Sequence, residues 1–331
     1  MQALTMVIFT CCLLMADLVI YGLKQAKGQL SIIYYTRPIA EVLEEHTLSA
    51  KEKEKLKFIG LVKNYSVDSL GYKISKSYTT FYDQKNTASL WTITACEPYR
   101  FKAYTWKFPV LGEVSYKGYF DYKAALPEYE KLRKKGYDTD LSPVGAWSTL
   151  GFLSDPVLSG MLKKSKGRLA NLIFHELFHN TYYAPGTVEV NENLANFIAH
   201  KATLLFLQND TSELNNYLRV RADDSLNTAF VLQSAKKLDS LYLTFNISDT
   251  VTCNALKKKM LRGIYLEAGH LPLNFPERFS ENNKDILITK NAFFMQYKRY
   301  DELYDSLNQV LSSRYHNNLK QMIVDLKQKR D

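Results

Sequence analysis

The chain of 331 residues has few cysteines, no internal repeat and no low-complexity tract. Without a repeat it is one large globular domain or two small ones, long enough to bury a core. Of its four cysteines, Cys11 and Cys12 lie in an apolar N-terminal run, which leaves Cys96 and Cys253 for the body. Two thiols so far apart do not form a disulfide framework; they are read as buried free thiols or as one pair. A recognisable nucleic-acid-binding module is missing too. The net charge of +9 comes largely from lysines on helix faces such as Lys51–Lys57 and Lys257–Lys259, interleaved with acids or apolar residues. That is a solvated surface, so no nucleic-acid partner is expected, while attraction to anionic lipid stays open.

The N-terminus lacks the lysine or arginine that opens a signal peptide. Residues 3–22 are nearly all apolar and about long enough to span a bilayer, with Asp17 as an interruption and Lys24 and Lys27 following. Ile8-Phe9-Thr10-Cys11 is a poor lipoprotein site. Residues 1–22 are therefore expected to be a membrane anchor or an imperfect export signal. The body, residues 23–331, is expected on the periplasmic side of the inner membrane, or as an exported lipoprotein, with a cytosolic face as the alternative.

What the sequence does contain is His175-Glu176-Leu177-Phe178-His179, within the run Arg168–Asn180. Leu169, Leu172, Ile173 and Leu177 recur at spacings of three and four, which predicts a helix. Residues four apart on a helix share a face, so His175 and His179 aim at one point, as two nitrogen ligands of a zinc ion must. Glu176 is beside them as a candidate general base for a metal-activated water. Five residues alone match by chance in about one chain in a hundred of this length, so a third ligand matters. A second predicted helix, Val188–His200, supplies Glu192, with Glu189 one turn earlier as its rival. Asn196, one turn beyond Glu192, is placed to steady a ligand histidine from behind.

Around this motif the chain reads as α+β. Residues 23–75 are helical in pattern, and Ser49-Ala-Lys-Glu52 is a capping box. Thr79–Tyr82, Ser89–Ala95 and Phe101–Phe108 are rich in aromatic and β-branched residues and read as strands of one sheet. Gly118–Asp121 is expected to begin a helix reaching about Lys135. Val144–Phe152 is expected to be a strand whose edge could hold an extended peptide. Beyond Leu207 the pattern is helical to the end, in segments near 212–243, 250–268 and 289–328. The helical and sheet-containing part (23–165) thus precedes an all-helical part (166–331), with the metal site where they meet.

The sequence resembles a bacterial family described as putative aminopeptidases, zinc proteins of the gluzincin type. The likeness rests on Gly28-Gln29-Leu30, Arg37-Pro38-Ile39-Ala40, Trp106 with Phe108-Pro109-Val110, Gly118-Tyr119-Phe120-Asp121 and Ser148-Thr149-Leu150-Gly151. It extends through Ile173–Leu177 with His179, Asn191-Glu192, Asn291-Ala292 and Tyr300. The resemblance implies a zincin-like fold, His175, His179 and Glu192 as zinc ligands, Glu176 as base and a peptide substrate. It also implies departures: Lys107 and Glu113 stand in place of a cysteine pair, where an ion pair would replace a disulfide, and Trp147 replaces a tyrosine. A peptidase also needs a second donor for the developing oxyanion. Tyr300 is the candidate through the resemblance, and His270, in Gly-His-Leu-Pro, is the alternative. The competing function is a zinc-stabilised envelope protein that binds a peptide without cutting it; a membrane-tethered scaffold without metal is a third.

Overall fold

The computed structural model describes residues 19–108, 112–145, 154–184, 188–297 and 303–328. The first helix, α1, covers residues 19–34 of this range. It docks on the protein by its very start: the Tyr21 hydroxyl donates to the Gly118 carbonyl at 2.8 Å, and its ring meets Phe108 and Tyr119. Gly28 packs directly on the Phe120 ring, where any side chain would collide. The boundary drawn after residue 22 therefore falls inside α1. Residues 1–18 of the apolar run lie outside the described range. Among the described residues no helix is long and apolar enough to cross a membrane.

A short strand, β1 (Arg37–Pro38), and helix α2 (Ile39–Glu44) lead to α3 (Ala50–Asp68). Ser49 and Glu52 make the capping box reciprocally, and α3 buries Leu56, Ile59 and Val62. Next come β2 (Thr80–Tyr82), β3 (Trp91–Cys96), the hairpin β4 (Trp106–Phe108) with β5 (Gly112–Val114), and β6 (Lys117–Tyr119). Then follow α4 (Tyr122–Lys134), β7 (Asp138–Pro143) and β8 (Val157–Leu158).

These strands form three small sheets, not the single sheet expected. One runs β1-β2-β8, with β2 and β8 parallel; one runs β6-β3-β7, antiparallel; the third is the β4–β5 hairpin. The reason is edge occupancy. β3 pairs along its length with β7 on one side; on the other, β6 takes Trp91–Ile93, and the stretch leading into β4 reaches the end of β3 only through a single bridge, Cys96 with Ala103. β7 has the polar sequence Asp-Thr-Asp-Leu-Ser-Pro and carries no strand pattern. Gly118 and Tyr119, expected to open a helix, end β6 instead; Asp121 caps α4 by accepting from the Lys123 amide. Most of the strand expected at Val144–Phe152 falls on residues 146–153, outside the described range.

A 3-10 turn, Ser159–Lys163, leads into α5 (Lys166–Thr181) and α6 (Val188–Leu207). α7 (Thr211–Tyr242) and α8 (Thr250–Ala268) match the expected segments closely. The segment expected at 289–328 is broken. After α9 (Glu277–Ile288), Lys290 takes a left-handed conformation before α10 (Asn291–Met295). His316 and Asn317 do the same between α11 (Tyr304–Tyr315) and α12 (Leu319–Gln328).

The main core joins α5 (Leu169, Ile173, Phe174, Leu177, Phe178) to Leu194, Phe197 and Ile198 of α6 and to α3. A second cluster joins α7, α8, α9 and α10. The molecule is therefore α+β, mostly helical, with its small sheets in the first half. Cys96 and Cys253 are free and buried.

Candidate metal centre

The helix pair α5–α6 is held in place at both ends. At the start of α5, Gly167 lies so close to Tyr217 of α7 that an added Cβ would come within 2.6 Å of its side chain. Between the helices, buried Asn191 grips Ala184 twice. Its side-chain oxygen accepts from the Ala184 amide at 2.9 Å and its amide donates to the Ala184 carbonyl at 2.7 Å. That clasp fixes the first turns of α6 against the chain leaving α5, which sets the position of the next residue, Glu192.

Three side chains converge there. The Nε2 atoms of His175 and His179 are 3.1 Å apart. Glu192 reaches both, Oε2 at 3.3 Å from His175 Nε2 and Oε1 at 3.4 Å from His179 Nε2. The group is one in which every member offers a ligand atom within 4.8 Å of the others. A tetrahedral ion with bonds near 2.1 Å has ligand atoms roughly 3.4 Å apart; the two nitrogens are spaced in that range, and each has one oxygen of the Glu192 carboxylate at a similar distance. Two imidazole nitrogens at that spacing could both turn their lone pairs to one shared cation. Glu189, the rival, is exposed one turn earlier on α6 and outside this group.

The electrostatics agree with a site that wants positive charge at its centre. Burial alone would raise the Glu192 carboxyl, but hydrogen bonds from both imidazoles, and their charge, hold it well below the usual carboxylate range. Burial alone would lower His175; its hydrogen bond to Glu192, the charges of Glu176 and Glu192, and a hydrogen bond with Asn196 leave it raised. Asn196 thus contacts a ring of the trio, where the helical spacing put it. The Nδ1 of His179 is buried with no hydrogen-bond partner among the described residues.

Glu176 is 8% exposed, beside but not within the trio. Burial pushes its carboxyl up, the two histidines pull it down, and Glu192 and Asp155 push it up again, for a net rise. The oxyanion candidates fare differently. Tyr300 lies outside the described residues, and the segment expected to carry it, 289–328, does not form one helix. His270 is exposed in the turn after α8, its amide bonded to Glu267 of its own helix. Two residues electrostatically linked to Glu176 carried no sequence signal. Asp155 is buried and acts electrostatically on Glu176, and Tyr78 is buried and feels Glu176 in turn. Nothing in the sequence marks Tyr78 among 23 tyrosines.

The sequence profile of a family described as putative aminopeptidase matches residues 20–330. Comparison with curated proteins and with solved structures gives no match.

Proposed function

The chain belongs to the putative aminopeptidase family, and from that premise we propose that it is a zinc-dependent peptidase of the gluzincin type, with His175, His179 and Glu192 as the zinc ligands. One observation carries the reading: two imidazole nitrogens and a carboxylate converge within 4.8 Å of one another, next to a buried carboxylate that is not part of the group. Zinc, when bound, supplies a Lewis acid and lowers the pKa of water toward neutrality. Nitrogen and carboxylate donors in a tetrahedral arrangement suit that ion.

The chain's own residues do the rest. Glu176, with its proton affinity raised by burial, takes a proton from the attacking water and returns it to the leaving amine of a peptide. Asn196 keeps the His175 ring in orientation, and Asn191 keeps Glu192 within reach of both rings. The apolar run ahead of α1, residues 3–18, serves as an anchor that keeps the peptidase at the outer side of the inner membrane. Membrane fractionation of the full chain beside one lacking residues 1–18 checks this; equal recovery of both in the soluble fraction would overturn it.

The deciding experiment compares wild type with Glu176→Gln. Zinc content is measured by elemental analysis, and cleavage of a peptide library by mass spectrometry. Wild type is expected to cleave, and Glu176→Gln to keep its zinc while activity falls by about 10²- to 10⁴-fold. A wild type that holds zinc and cleaves nothing would favour the non-catalytic binding protein. Equal activity in the two would remove Glu176 from the mechanism.

A further inference from the structure

Helix α1 is amphipathic, and its apolar face points away from the protein. Val19, Leu23, Leu30 and Tyr34 are each more than half exposed, and Ala26 between them is exposed too. They recur at spacings of three and four, so they form one stripe along a helix about 24 Å long. Single exposed leucines are common on any protein surface. A row of this length on one helix marks an interaction face.

The other face of α1 is the one that packs. The Tyr21 hydroxyl bonds the Gly118 carbonyl, Gly28 sits against the Phe120 ring, and Ile32 is buried. These contacts fix the rotation of α1 about its own axis. With Tyr21, Gly28 and Ile32 turned inward, the stripe from Val19 to Tyr34 has to face out. It is therefore not the core face of an undocked helix.

Three features say what covers it. The apolar run of residues 3–18 leads straight into Val19, so the stripe begins where the anchor ends. The helix carries Lys24 and Lys27, both exposed, and no acid. At its start the Lys117 ammonium lies over the Tyr21 ring at 4.8 Å and adds a third cation. At its far end Tyr34 and Tyr35, both exposed, meet edge to face at 5.1 Å. An apolar stripe with a basic flank and tyrosines at its end is the composition of a helix lying in the interface of an anionic bilayer. A helix crossing the bilayer would be apolar on all sides, and α1 is apolar on one.

We propose that the exposed stripe of α1 lies along the surface of an anionic membrane, with its leucines at the boundary of headgroups and acyl chains and Lys24 and Lys27 among the lipid phosphates. The body, joined to α1 through Tyr21, Gly28 and Ile32, then rests against the bilayer and does not swing from a loose tether. The proposal rests on the reading of residues 3–18 as an anchor and is independent of the peptidase chemistry.

The test uses the full chain in vesicles of phosphatidylcholine with about one-third phosphatidylglycerol. A photoreactive p-benzoylphenylalanine replaces Leu30 or, as the control, Val251, and lipid adducts formed on irradiation are measured by mass spectrometry. Val251 is apolar and exposed, but it belongs to the far end of β3 from Tyr21. Tyr21 meets Tyr119, which pairs with Trp91, whereas Tyr99, beyond Cys96, bonds Asn254 one turn from Val251. The Leu30 site is expected to give roughly ten-fold more lipid adduct than the Val251 site. Adding Leu23→Asp to the Leu30 probe is expected to cut the yield several-fold without changing the melting temperature, because Leu23 is exposed. Vesicle-bound protein with equal yields at the two sites, or with none at the Leu30 site, would overturn the proposal and leave the anchor standing. A crosslink between two chains at the Leu30 site would overturn it in favour of a second copy. Full chain recovered free of the vesicles ends the anchor and the proposal together.

Discussion

Two clusters in this protein are built around carboxylates, one buried and one partly open, and they treat that charge in opposite ways. At the junction of β7 with α8 and α10, Asp138 meets Lys257, which is 3% exposed and also donates to the Pro98 carbonyl. Asn291 adds its amide to Asp138, and its side chain bonds Tyr242, Glu97 and Pro98. Tyr99 and Tyr242 lay their rings beside the ammonium. This cluster carries its own cation. At Glu192 the carboxylate pairs with two imidazoles instead. A buried acid that has its own lysine is a structural joint. One that gathers neutral nitrogen ligands instead leaves room for a metal cation from outside.

The largest effect that would sharpen this contrast is at the joint. Burial lowers the proton affinity of Lys257 while Asp138 raises it, so each depends on the other. Lys257→Met strands Asp138 in the interior and is expected to cost about 3–5 kcal/mol in urea unfolding. Lys257→Met/Asp138→Leu is expected to recover most of that. A single variant as stable as wild type would show that the pair is not needed.

Next in size is a third buried group, a base without an acid. His200 hydrogen-bonds Tyr217 at 2.9 Å, and burial, with the charges of Arg221 and Lys201, lowers its pKa from 6.5 to about 4. Its folded pKa lies below its unfolded one, so its contribution to stability is complete above pH 6.5 and lost as pH falls toward 4. The loss amounts to at most ~3 kcal/mol. His200→Gln is expected to flatten that part of the stability-versus-pH curve, measured by denaturant melts; an unchanged acid limb would count against it.

Chelation breaks the comparison more directly. At free zinc 100-fold above its dissociation constant, a folded-state site adds about 2.7 kcal/mol of stability. Chelator is expected to remove this from wild type and to have far less effect on Glu192→Gln, as read by melting temperature. The joint at Lys257 should be indifferent to the treatment. A wild type whose melting does not respond to zinc or chelator would contradict the contrast.

The smallest effect is expected at the surface. Lys107 and Glu113 pair at 3.1 Å across the β4–β5 hairpin, with side chains 81% and 55% exposed. Solvent and salt screen such a pair. Lys107→Gln is therefore expected to leave the melting temperature unchanged, and a clear drop would mean the hairpin depends on the pair.

Local chemistry made much of this legible in advance. The capping box at Ser49 and Glu52 and the limits of α7 and α8 follow from short-range rules that act within one helix. The i, i+4 histidines follow from helical geometry itself, and only the choice between Glu189 and Glu192 needed α6 to be seen against α5. The misreadings of the sheet were non-local. Three strand-like stretches went to three sheets because β7 and β6 took most of the pairing of β3, and polar β7 was hidden because its acids are met by Lys257 and Gln296, over a hundred positions away.

By itself, the sequence determined which residues could ligate and which helix would carry the histidines, because periodicity and side-chain chemistry are properties of neighbours in the chain. Only tertiary packing decided that Glu192 reaches both rings and that Asn191 clasps the chain ahead of it. Those relations depend on where separate segments come to rest against one another, and such closeness leaves no local pattern to read.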